Sequence, residues 1–127
     1  SGYMWLCSQL HIEPNKYSGG WNFGPDNESI ITVESVVNKM HENMGRGVMK
    51  DVSDPNQLHE AKLLNLDCSK ANFLLGWKPA LNINECMQLT AEWYMRYRDV
   101  DGYKLSSDQI EDYTKHATRK EIPWALQ

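Results

Sequence analysis

Cysteine is scarce in this 127-residue sequence: Cys7, Cys68 and Cys86 stand far apart, with no C-x-x-C spacing. So sparse and odd a set, with no secretory leader before it, points to reduced thiols in a cytoplasmic protein. Long apolar runs are missing too. The stretch "YMWLC" is far too short to span a bilayer and carries no basic segment in front of it. Basic charge is in deficit, since the net charge is -4 and Lys and Arg are dispersed. A nucleic-acid surface built on phosphate neutralisation is therefore not expected.

Motifs that carry chemistry on their own are equally absent. His11, His41, His59 and His116 are isolated, and "HE" occurs twice without the second His of a helix-borne zinc site. No metal site is expected, and His11, His41 and His116 read as surface or capping side chains. "GRG" at 45–47 follows a helical pattern rather than opening one, which is the wrong order for a dinucleotide turn. There is no G-x-S-x-G elbow and no P-loop. No catalytic residue and no cofactor-binding residue can be assigned within the chain.

What is present is one domain's worth of sequence with ordinary composition, 41% apolar and 24% charged. The spacing predicts a helix over 3–11, apolar on most sides and so buried. "WNFG" alternates Trp21 and Phe23 against Asn22 as a short strand would, ending at Gly24 and Pro25. Val33, Val36, Val37, Met40 and Met44 form one helical stripe, with Thr32 as N-cap and Gly45 as the left-handed stop. A second short strand is expected at "VMKDV", followed by the loop "SDPNQ" and a third strand after His59.

The most organised stretch is 66–94. Asp67 can cap a helix carrying Ala71, Leu74 and Leu75. Gly76 can turn left-handed so that Trp77 folds back, and Pro79 forbids continuation. Asn82 and Glu85 form a capping-box pattern for a longer helix expected to bury Ile83, Cys86, Met87, Thr90, Tyr94 and Tyr97, with Leu89 and Trp93 beside them. Beyond Gly102, a Ser106/Gln109 pair predicts a short surface helix and then a loose tail. The chain opens already apolar and at helical pitch, without an initiator Met, as if part-way through a larger fold.

The segments "WNFGP", "HEAKLLNLDCSKANFLLGWKP" and "NINECMQLTAEWY", in that order, resemble the C-terminal part of extended short-chain dehydrogenases of the NAD-dependent epimerase/dehydratase type that act on nucleotide sugars. Together with the late "S-x-x-Q-I-E-x-Y" helix, they are most similar to members that dehydrate CDP-glucose. The resemblance implies a mixed, helix-rich α/β fold whose Rossmann core is missing. It divides the chain into a truncated Rossmann-side helix at 1–14, a substrate-binding domain at 15–104, and a surface helix and tail at 105–127. It also implies a homo-oligomeric parent that uses NAD catalytically, moving a hydride from C4 of glucose to C6 as water is lost, while this portion alone stays inactive and free of NAD. Another nucleotide-sugar dehydratase or epimerase of the same superfamily, or a non-catalytic interaction module, is the alternative reading. Glu60, seven residues before Asp67, stands where a GDP-sugar relative places a carboxylate on ribose hydroxyls; a carboxylate suits a vicinal diol. His59 is expected to assist at the nucleotide. The Arg that precedes this turn in GDP-sugar relatives has no counterpart in "DPNQLHE", which argues against GDP. Trp21, Phe23 and Trp77 are expected to pack rather than stack on a base.

Overall fold

The computed structural model describes residues 1–26, 29–52 and 66–126. Among the described residues six α-helices follow in order: α1 (Gly2–Ile12), α2 (Pro14–Tyr17), α3 (Val33–Met44), α4 (Ser69–Leu75), α5 (Ile83–Arg96) and α6 (Gly102–Arg119), with a 3-10 turn at Pro123–Ala125. No strand occurs among the described residues, so the mixed α/β expectation gives way to a helix-rich architecture. "WNFG" is extended but unladdered. Its alternation serves two separate partners: Trp21 meets Tyr17 at 6.1 Å, while Phe23 is wedged edge-on between Tyr3 and Trp77 at 5.4 and 5.0 Å. A strand needs a neighbouring strand to satisfy its backbone. "VMKDV" is likewise irregular and open to solvent, with Val48 96% exposed. The third expected strand lies almost wholly outside the described residues.

Helix boundaries follow local chemistry closely. Thr32 Oγ1 accepts from Ser35 N, and Gly45 ends α3 at φ 64. α4 starts at Ser69, one residue later than a direct Asp67 cap would place it, yet Asp67 Oδ1 still accepts from Ser69 N at 2.9 Å. Those bonds from Ser69 hold the Asp67 carboxyl below its ordinary pKa. At the other end Gly76 takes φ 60, and the Ala71 carbonyl accepts from both the Gly76 and Trp77 N–H groups. A Cβ on Gly76 would sit 3.1 Å from Pro123 Cγ. Gly76→Ala should therefore destabilise the chain by about 1–3 kcal/mol through left-handed strain plus this contact. Gly76→Asn should cost less of the strain, because Asn tolerates this region better. Urea midpoints would order the three proteins.

Two apolar clusters make the core. Tyr17, Ala71, Leu75 and Trp77 form the first, flanked by Trp5, Leu6, Leu10, Trp21 and Phe23. Ala80, Ala117 and Ile122 form the second, and Trp124 packs on both. Indole N–H groups tie the first cluster together: Trp5 donates to the Leu75 carbonyl at 2.8 Å and Trp21 to the Tyr17 carbonyl at 2.7 Å. α3 packs on α5, where Lys39 Nζ donates to Asn84 Oδ1 at 2.6 Å.

The stretch after 100 departs most from expectation. α6 is not short: it spans 18 residues and is capped by Asp101, whose Oδ1 accepts from Tyr103 N and Lys104 N. Its start lies before Ser106, so that residue and Gln109 are helix interior and perform no capping. Instead they fasten α6 to α5. Ser106 Oγ accepts from Trp93 Nε1 at 2.9 Å, and Gln109 Nε2 donates to the Leu89 carbonyl at 3.0 Å. This placement shifts the buried line of α5 as well. Ala91 is its fully buried residue, whereas Cys86 is exposed and Tyr94 is 56% exposed, because α6 covers the Leu89–Trp93 side and leaves their edge open. The tail is not loose either, since Ile122 is only 5% exposed. Among the described residues no helix is long and apolar enough to cross a membrane.

Candidate functional site

The expected nucleotide contacts, His59 and Glu60, lie outside the described residues. The chain re-enters at Leu66, and the structure fixes that re-entry against the arch 21–25. Asn22 Nδ2 donates to the Asp67 carbonyl at 3.1 Å, and Lys70 Nζ donates to the Gly20 carbonyl at 2.9 Å while lying 4.1 Å over the Trp21 ring. Gly24 lies close to the re-entering chain, where a Cβ would make ordinary contact with Cys68 Sγ at 3.4 Å and Leu66 Cβ at 3.5 Å. Sequence reasoning missed Asn22 and Lys70. The available signal was an Asn set between two aromatics, which reads equally well as the solvent face of a strand.

Beside the arch opens a cleft of about 440 Å³, with Phe23 and Pro25 on one wall and Trp77, Leu81 and Ile83 on the other. Trp77 and Phe23 are packing residues that also present surface to this cleft. Two of its polar side chains, Asn82 and Tyr113, are already engaged. Asn82 Oδ1 accepts from Glu85 N at 3.0 Å, and Glu85 Oε2 accepts from Asn82 N at 2.8 Å, which is the expected capping box. Tyr113 OH and Ser1 Oγ are 2.8 Å apart, and Ser1 Oγ also accepts from Trp77 Nε1 at 3.1 Å. Among the described residues no Lys or Arg lines the cleft. Chemically its described walls suit a flat or apolar group and bring no cation to a pyrophosphate.

Glu85 ties the start of α5 to the end of α6. Besides capping α5, it faces Lys120 Nζ at 3.7 Å and His116 Nε2 at 3.4 Å. The Asn82 N–H, followed by the charges of Lys120 and His116, holds the Glu85 carboxyl below its ordinary value of 4.5. A carboxyl depressed on folding stabilises the folded state above its unfolded pKa, and that stabilisation is lost as pH falls through the folded pKa. Glu85→Gln should therefore flatten the acid limb of the stability profile. Urea midpoints of the two proteins should differ near neutrality and converge below the folded pKa of Glu85; a gap unchanged with pH would contradict this linkage.

The described residues do not fit a dinucleotide. The left-handed glycines Gly45 and Gly76 end helices, and Gly19 and Gly47 lie in loops, so none opens a helix towards a phosphate. Gly102 does open α6, but the Asp101 carboxylate already occupies that terminus. No group of His, Cys, Asp and Glu able to hold a metal exists among the described residues.

No family model matches the chain. Over 120 residues it is 39% identical to CDP-glucose 4,6-dehydratase of Salmonella typhimurium, an alignment that covers 94% of this chain and 33% of that protein. The chain thus spans about a third of the length of the curated relative it matches.

Proposed function

We propose that this chain is the C-terminal, substrate-binding portion of a nucleotide-sugar 4,6-dehydratase whose substrate is CDP-glucose and whose product is CDP-4-dehydro-6-deoxyglucose. The observation that carries this reading is the 39% identity sustained over 94% of the chain. The full protein uses NAD, held by residues outside this chain; the helix termini described above offer it no seat. This portion binds the nucleotide and orients the sugar, so that remote binding energy serves a reaction centre supplied elsewhere. Alone it turns over nothing. Full-length gene product incubated with NAD and CDP-glucose should release one water per sugar nucleotide, read by mass spectrometry, and should prefer CDP-glucose to GDP-, UDP- or dTDP-glucose. Preference for another nucleotide, or epimerisation without loss of water, would overturn the assignment.

Within that reading Glu60 accepts from the ribose hydroxyls and His59 assists at the nucleotide. Removing a charged acceptor forfeits about 1.5–3 kcal/mol of binding. Glu60→Ala in the full-length enzyme should raise KM for the sugar nucleotide by about tenfold or more while kcat stays within about threefold, since a ribose contact is made equally in ground and transition states. An unchanged KM would remove Glu60 from the site.

A further inference from the structure

α1 is built as an interior helix but has an uncovered side. Across Gly2–Ile12 its only titratable side chains with polar ends are Tyr3, Cys7 and His11, and no Asp, Glu, Lys or Arg occurs. A helix apolar on most sides is expected to be largely covered. Yet Tyr3 is 75% exposed and Met4 77% exposed. Next to Met4 runs a groove of about 540 Å³ between α1 and α6, floored by Trp5, Tyr113 and Trp124 and bordered by Ile110, itself 66% exposed. Its central hydroxyls are spoken for, because Ser1 Oγ and Tyr113 OH bond each other. A small polar ligand would find few free groups to orient it, whereas an apolar protein surface needs none.

We propose that this groove seats the portion of the full-length protein that is absent from this chain. The occupant follows from length: the alignment covers 33% of the relative, so about two thirds of such a protein has no counterpart here. That portion must meet this one somewhere, and α1 with the adjoining edge of α6 is an apolar, charge-free surface of the right kind. The inference rests on the reading of this chain as part of a longer dehydratase.

Thiol labelling of the full-length product, resolved peptide by peptide so that native Cys7, Cys68 and Cys86 are followed separately, tests it. Met4→Cys and Ile110→Cys replace side chains that are exposed in this chain, so neither disturbs its core. Tyr103→Cys, at a position 84% exposed and away from the groove, reports free reactivity. Groove thiols should label about a hundredfold more slowly than the one at 103, at every protein concentration, because reaction requires local opening. Equal rates at all three positions would overturn the seat. Protection that fades on dilution would overturn it too, by making the occupant a second copy. Conversion of CDP-glucose by the unmodified protein is scored independently, so a wrong surface and a wrong enzyme class fail in different experiments.

Discussion

Trp77→Ala is expected to cost about 3–5 kcal/mol of folding stability, the range for removing a buried Trp or Phe side chain. Trp77 is 6% exposed and sits at the junction of three independent devices. Its backbone N–H bonds the Ala71 carbonyl, closing the stop after α4. Its ring meets Phe23 edge-on at 5.0 Å, which anchors the arch. Its indole N–H reaches Ser1 Oγ, which in turn holds Tyr113 on α6. Truncation leaves the first device intact and removes the other two, together with one of the four buried side chains of the first cluster. Domains of this size have only about 5–15 kcal/mol in total, so the variant should sit near its unfolding midpoint in water. Trp77→Phe keeps much of the ring and loses only the N–H contact, for about 1 kcal/mol. Urea unfolding followed by circular dichroism separates the two; equal, small losses would mean that the arch and α6 hold together without this residue.

Much of this was legible in the sequence wherever the signal is local. The Thr32 and Asn82 caps, the left-handed stops at Gly45 and Gly76, and the return of Trp77 over α4 depend on a few consecutive residues, and all are present. What failed depended on partners far along the chain. The alternation in "WNFG" predicts a strand only if a neighbouring strand exists, and among the described residues the arch is met by Tyr3, Asp67 and Trp77 instead. Ser106 and Gln109 have the spacing of a capping pair, but Asp101 reaches the free N–H groups first, so the same side chains become cross-links to α5. The cleft beside the arch could not be read in advance for the same reason, since its walls come from segments more than 50 residues apart and only packing brings Phe23 to Trp77.

The tail gives the second large effect, because its sequence looks dispensable and its contacts are not. "KEIPWALQ" is polar at its start and follows the end of α6, with no periodic pattern to suggest burial. The backbone nevertheless reverses at Glu121, whose φ of 53 is uncommon outside glycine. That turn delivers Ile122 onto Ala80 and Ala117, both essentially inaccessible, and Ile122 N bonds the Ala117 carbonyl at 3.1 Å. Lys120 Nζ adds a bond to the Ala80 carbonyl at 2.7 Å, and Trp124 stacks on Tyr113 at 5.5 Å. Two alanines facing one isoleucine leave little freedom to close a void, so Ile122→Ala should cost about 2–5 kcal/mol. Ile110→Ala, the same chemical change at a position 66% exposed, should stay within about 0.5 kcal/mol in this chain. Comparing the two urea midpoints isolates burial from side-chain identity. A loss at 122 no greater than at 110 would mean that the tail is not held as described, and that Trp124 does not bridge the two clusters.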